Sequence, residues 1–179
     1  MTAEVTPHHL LFTDTSLRTY DTNFRMAPPL RTEADRLALV EALKSGVIDC
    51  IATDHAPHSE EDKNIEFARA ANGAIGFETA FSTCMKLVEE GALSFGRLNE
   101  AMTFSPARVF GFKDRGQLKA GLLADLAVLN ISEEWVVDSS RFFSKSRNTP
   151  FNNWKVKGRV QRTVVGGRTV FDLERGILD

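Results

Sequence analysis

Asp54-His55-Ala56-Pro57-His58 is the stretch of this sequence whose residue types and spacing could do chemistry. A carboxylate at that position can hold a divalent metal and take a proton from a metal-bound water, and imidazoles a few residues on can hydrogen-bond an anionic substrate. The same run also makes an ordinary hydrogen-bonded turn, and spacing alone leaves both readings open. His8 and His9 follow Pro7 at the end of an expected first strand, where successive side chains point to opposite faces, so a structural role is the simpler reading for them. Four histidines and one well-placed aspartate are too few for a securely held zinc, which takes three or four protein ligands. Gly73-Ala74-Ile75-Gly76 lacks the lysine and spacing of a phosphate loop and the spacing of a dinucleotide fingerprint. It reads as a backbone turn that either approaches a small ligand or simply packs.

The elements that must position these residues are legible around them. Thr32 is a plausible N-cap with Asp35 three residues on, Leu37, Val40 and Leu43 recur at helical spacing, and Gly46 supplies a stop. Val47 to Thr53 is then short, β-branched and apolar, as a strand buried on both faces of a parallel sheet should be. Helix followed by buried strand, with polar residues at the strand's C-terminal end, is the repeat of an α/β fold, where active sites collect at that end. A charged loop runs from Ser59 to about Asn72. A helix is expected from about Glu78 to Glu90 with Phe81, Met85 and Val88 on one face, another after Ser94, and a third starting at Ser105-Pro106 and stopping at Gly111. From Gly116 the pattern turns to β: Ala124 to Leu129 is one strand, and Val160 to Val164 and Thr169 to Leu173 pair through Gly166-Gly167. Trp135 to Phe151 is aromatic without a basic stripe, which favours core over a stacking platform. A boundary is expected near residue 113.

Composition narrows the function classes. The 179 residues are 42% hydrophobic and 26% charged with a formal net charge of -2, which suits a globular core and gives no electrostatic footprint for nucleic acid or an anionic membrane. Cys50 and Cys84 lack paired or metal-like spacing and read as reduced core thiols. No apolar run approaches the ~20 residues of a membrane span and the N-terminus has no signal-peptide pattern, so a cytoplasmic protein is expected. The opening residues read as a short strand with no domain start ahead of it, as if the chain began within a larger fold.

Several stretches, in order, resemble class I dihydroorotases of the amidohydrolase superfamily. They are Glu4 to Leu11 (EVTPHHLL), Asn23 to Arg31 (NFRMAPPLR), Ile48 to His58 (IDCIATDHAPH) and Gly73 to Thr79 (GAIGFET), with Ser105-Pro106-Ala107 and Gly121 to Leu126 similar to the superfamily's C-terminal pattern. The resemblance implies an α/β fold in which residues 1–113 are the C-terminal part of a TIM-barrel amidohydrolase, its last two strands and their helices, and 114–179 a β-sandwich segment. It implies zinc-dependent, reversible hydrolysis of dihydroorotate to N-carbamoyl-L-aspartate in pyrimidine biosynthesis. Asp54 matches the aspartate that binds zinc and serves as general acid and base, and the other zinc ligands are expected upstream of this chain, which would leave it inactive alone. His58 matches a substrate-binding histidine, and Asn72-Gly73 a backbone segment that contacts dihydroorotate. Ala27 stands where many relatives have a substrate-contacting asparagine, which weakens that contact. The alternatives are a hydantoinase or allantoinase relative, and a non-catalytic structural partner of aspartate transcarbamoylase; a homodimer is a further expectation.

Overall fold

The structure is a computed structural model that describes residues 1–178. Two short strands, β1 (Glu4–Val5) and β2 (Cys50–Ile51), pair in parallel, with Glu4 opposite Cys50 and Val5 opposite Ile51. The pairing runs past both ends, since Asp49 N donates to Ala3 O at 2.9 Å and Ala52 N to Val5 O at 3.0 Å. The strand expected over 47–53 therefore exists, but only two of its residues form a regular ladder. Val47 lies exposed outside it.

Helix α1 (Pro7–Leu11) follows β1 directly, with Thr6 as N-cap and Pro7 at its first position. This corrects the expectation that His8 and His9 end a strand: both lie on a helical turn, and their ring centroids are 4.6 Å apart. The cause is local, because proline is pre-set for the first helical turn and lacks the N–H that turn would leave unpaired. Helix α2 (Glu33–Ser45) has the expected ends, with a capping box between Thr32 and Asp35 and Gly46 at φ +82° closing it. Of its expected face, Val40 and Leu43 are buried, whereas Leu37 is 53% exposed.

Helix α3 (Glu60–Lys63) interrupts the charged loop after β2. Helices α4 (Ala80–Glu89), α5 (Phe95–Met102) and α6 (Phe104–Val109) follow, and α6 begins before Ser105 with Thr103 at its cap and no side-chain capping bond. Strands β3 (Leu126–Val136), β4 (Lys155–Val165), β5 (Arg168–Asp172) and β6 (Gly176–Ile177) form one antiparallel sheet in sequence order. Gly166 and Gly167, at φ +55° and +80°, make the β4–β5 turn that the Gly-Gly pair predicts. Strand β4 is more than twice the expected length and β3 nearly twice: lysines and arginines alternate with apolar residues along β4, Asn130 and the Ser132-Glu133-Glu134 run interrupt the apolar pattern of β3, and single-sequence patterning truncates such runs.

Two apolar clusters hold these elements. In the first, Val5, Val40, Leu43, Ile51, Cys84, Leu87 and Leu98 join β1 and β2 to α2, α4 and α5. Arg97 reinforces it, its guanidinium donating to the carbonyls of Leu43 (2.7 Å), Ile48 (2.7 Å) and Asp49 (3.1 Å). The second cluster brings Phe12, Met26, Ala74 and Ile75 together with Val137, Phe142, Phe151 and Val156, so the aromatic segment after β3 is core as expected. Helix α4 lies on β4 at Gly158, where an added Cβ would sit 3.0 Å from Phe81 and 3.1 Å from Met85. Both cysteines are buried and free. Among the described residues no helix is long and apolar enough to cross a membrane.

Leu98 has no exposed surface and packs in the first cluster. Leu98→Ala is expected to destabilise the chain by about 2–5 kcal/mol, the usual range for emptying such a site, read as a lower denaturant midpoint with an unchanged slope.

Candidate active site

Asp54 is on a left-handed stretch of backbone, φ +48°, just after β2, and its side chain is exposed and without a hydrogen-bond partner among the described residues. Aspartate is among the few non-glycine residues that tolerate this conformation. The chain leaves the strand there and turns, so the carboxylate stands at the C-terminal end of the parallel pair.

His55 is held beside it. Gly76 N–H donates to His55 Nδ1 at 3.1 Å and Phe77 N–H approaches the same atom at 3.4 Å, while the Phe77 ring stacks on the imidazole at 3.9 Å and 3°. An Nδ1 that accepts leaves the neutral ring's proton on Nε2. The backbone of this loop pairs with the glycine-rich segment through a parallel bridge between His55 and Ala74 and through Ala56 N–H to Ala74 O at 3.0 Å.

His58 Nε2 lies 2.8 Å from the Asn72 carbonyl, which can only accept, so Nε2 carries a proton and Nδ1 is the ring nitrogen left for another contact. Gly73 has φ +104°, and a Cβ there would be 2.7 Å from the Ala56 methyl group, so the close approach and the positive φ both require glycine. The structure thus brings His58, Asn72 and Gly73 together. Ala27 is exposed on a separate segment, joined to them through Gly73 N–H donating to Arg25 O at 2.8 Å.

Two residues that sequence reasoning passed over complete the arrangement. Lys63 is only 7% exposed although it belongs to the charged loop, and its ammonium donates to the carbonyls of Thr22 (2.7 Å), Ala71 (2.9 Å) and Gly73 (3.1 Å). Burial lowers its pKa to about 8, opposed by nearby Asp21 and assisted by Arg25. Asn148, 6% exposed, arrives from beyond β3: Nδ2 donates to Ala56 O (2.9 Å) and Gly73 O (3.3 Å), and Oδ1 accepts from His58 N–H (3.3 Å). The one signal for Lys63 was its place eight residues before a run of small residues; Asn148 had none, since its partners are 75 to 92 positions away.

His9 and His8 behave differently. His9 Nε2 donates to Pro28 O at 3.0 Å, and its Nδ1 takes the Thr6 hydroxyl at 2.6 Å, so it ties α1 to the segment carrying Ala27. His8 is 3% exposed, and its Nε2 has no hydrogen-bond partner among the described residues. Among those residues no three histidine, cysteine, aspartate or glutamate side chains gather where they could share an ion. The donor set does not by itself fit zinc, and Asp54 is the one implied ligand in it. A cavity of about 440 Å³ lies instead between α4 and the sheet, lined by Phe81, Trp135, Phe142 and Phe171 among others, and includes none of Asp54, His55, His58, Asn72 and Gly73.

The pattern described as "Amidohydrolase family" matches residues 5–170. The chain belongs to the amidohydrolase family. Among curated relatives it is 52% identical over 177 residues to a dihydroorotase of Anaeromyxobacter dehalogenans, covering 98% of this chain and 41% of that protein. It is 47% identical over 171 residues to a dihydroorotase of Geobacter metallireducens, covering 96% and 40%. Among solved structures it resembles an L-hydantoinase (dihydropyrimidinase) from Arthrobacter aurescens, with a TM-score of 0.93, 32% identity, and coverage of 99% of this chain and 41% of that one. A dihydropyrimidinase from Brevibacillus agri, TM-score 0.89 at 22% identity, shares the fold. The chain spans about 40% of the length of the relatives it matches.

His8 makes this chain acid-sensitive in a defined window. Burial, with a smaller contribution from His9, pushes its pKa down from 6.5 to about 3. Above pH 6.5 neither folded nor unfolded chain protonates it; as pH falls from there to about 3 only the unfolded chain takes the proton, so stability is lost through that range. The loss over that range is on the order of 5 kcal/mol. His8→Phe is expected to remove this part of the acid dependence, measured by urea unfolding at pH 7 and pH 4.

Proposed function

We propose that the chain is the C-terminal part of a zinc-dependent dihydroorotase, which catalyses reversible hydrolysis of dihydroorotate to N-carbamoyl-L-aspartate. The observation that carries this reading is Asp54, presented at the end of a buried parallel strand, with His58 bonded to the Asn72–Gly73 segment beside the same loop. The relatives named dihydroorotase support the substrate, since their identity extends over almost the whole chain. In this reading residues 1–113 belong to the barrel and 114–179 to the β-sandwich, the remaining zinc ligands come from outside the described residues, and the enzyme works in the cytoplasm.

Hydrolysis of the ring amide adds water oxygen to the carbonyl carbon, breaks the C–N bond and moves a proton from the water to the departing nitrogen. Asp54 is suited to carry that proton, as base in the first step and acid in the second. Its carboxylate spends no lone pair on another protein group, so its acceptor capacity stays available. His58, through Nδ1, and the Asn72 N–H, which has no partner among the described residues, would bind the substrate. Ala27 offers no side-chain hydrogen bond, so the contact an asparagine would make there is lost or replaced.

The similarity to the L-hydantoinase favours a second reading as a cyclic amide hydrolase of that kind. Hydantoin, allantoin and dihydroorotate assayed side by side would separate the two. Pairing with a second copy, or with an aspartate transcarbamoylase as a non-catalytic partner, draws support from the outer edges of β1 and β2, which carry no strand among the described residues.

The test is a chimera in which this chain replaces the matching C-terminal stretch of the Anaeromyxobacter dihydroorotase. The chimera is expected to cyclise N-carbamoyl-aspartate, and Asp54→Asn to lower turnover by roughly 10³-fold without moving the thermal midpoint. Near-normal turnover in that variant would remove Asp54 from the chemistry.

A further inference from the structure

We infer that Lys63 and Asn148 are positioning residues: together they clamp the Gly73 carbonyl and thereby set the height of the Asn72 carbonyl that holds the His58 ring. The inference rests on the reading of His58 and Asn72–Gly73 as substrate contacts, and deepens it.

Residues 71–74 lie outside any helix or named strand, with Gly73 and Ala74 buried and Ala71 half-buried, so their carbonyls need partners that no helix or ladder supplies. Lys63 Nζ meets two of them, Ala71 O and Gly73 O, and donates its third N–H to Thr22 O. An ammonium has three N–H groups and all three are used. The Thr22 hydroxyl in turn donates to Lys63 O at 2.7 Å, which fixes the end of α3 to the 22–24 turn. From the opposite side Asn148 donates to the same Gly73 carbonyl, and also bonds Ala56 O and His58 N–H.

Gly73 therefore has its N–H and its carbonyl both engaged within the protein, and Asn72 has its carbonyl engaged by His58. The geometry leaves the Asn72–Gly73 pair one backbone donor for a ligand, the Asn72 N–H. It also selects the His58 tautomer, because the Asn72 carbonyl accepts and so keeps the proton on Nε2. A shift of the clamp moves both the donor and the ring, while Asp54 is on another loop and makes no bond to either clamp residue.

Nitrogen-15 NMR of the histidine-labelled 179-residue chain reads this directly, with amide exchange at Gly73 as a second signal. In the unaltered chain His58 is expected as the Nε2–H form when neutral, and a dominant Nδ1–H form would overturn the proposal without any variant being made. Lys63→Met is expected to mix the two tautomers at His58 and to speed Gly73 exchange by roughly tenfold or more, leaving the His55 signals in place. Asn148→Ala, which keeps the ammonium, is expected to do the same and serves if Lys63→Met does not fold. A folded variant with an unchanged His58 tautomer and Gly73 exchange would refute the clamp. Titration with N-carbamoyl-aspartate is read separately in the chimera: absence of binding there would reject the substrate reading while the tautomer result still decided the clamp.

Discussion

Buried carbonyls outside regular structure have to be met by a donor, and around the Asp54 loop that requirement organises everything else. Segments 54–58 and 71–75 touch through one isolated bridge and the bond from Ala56 N–H to Ala74 O, too little to hold them alone. Side chains do the rest, from three places in the chain: Lys63 from the short helix α3 and Asn148 from beyond β3 donate to carbonyls, as does His58 from the loop itself, while His55 beside it accepts from Gly76 N–H. An unmet buried carbonyl costs ~1–3 kcal/mol, so each of these side chains is constrained as tightly as a core residue. That is why a lysine in an acidic loop is buried.

The same logic joins the two halves of the chain. Asn148 reaches back across ninety positions to His58, and Ile75 N–H donates to Asn148 O at 2.9 Å. Farther along, Ser82 of α4 and Trp135 of β3 both donate to the Gly158 carbonyl, at 2.6 and 3.1 Å, where the missing side chain lets α4 lie against β4. The apolar cluster beneath, Phe12 and Ile75 with Val137 and Phe151, shields these bonds from water. The glycine-rich segment is thus fixed from the sheet side as firmly as from the helical side.

What the sequence made legible was whatever is decided within a few residues. The Thr32–Asp35 box, the Gly46 stop, the Gly166-Gly167 hairpin and the motif from Asp54 to His58 are local patterns, and their elements stand where expected. Helix α1 was also local, a Thr-Pro start, but the strand before it hid the change of period. The burial of Lys63 and the reach of Asn148 were illegible because they depend on carbonyls brought close only by the fold. Alternation along β3 and β4 was obscured by bulges, at Val128/Leu129 and between Asn130 and Glu134, which shift the register.

The two cysteines give the fold a chemical signature of its own. Cys84 sits in the first cluster with no exposed surface, and burial pushes its thiol up to about 12. Cys50, in β2, is raised as well, first by burial and then by Glu4 and Asp49. Thiolate is the species that oxidants and alkylating agents attack, so the folded chain is closed to both. Reactivity arises only when α4 or β2 opens, and the oxidation history of the protein becomes a record of how often it has come apart.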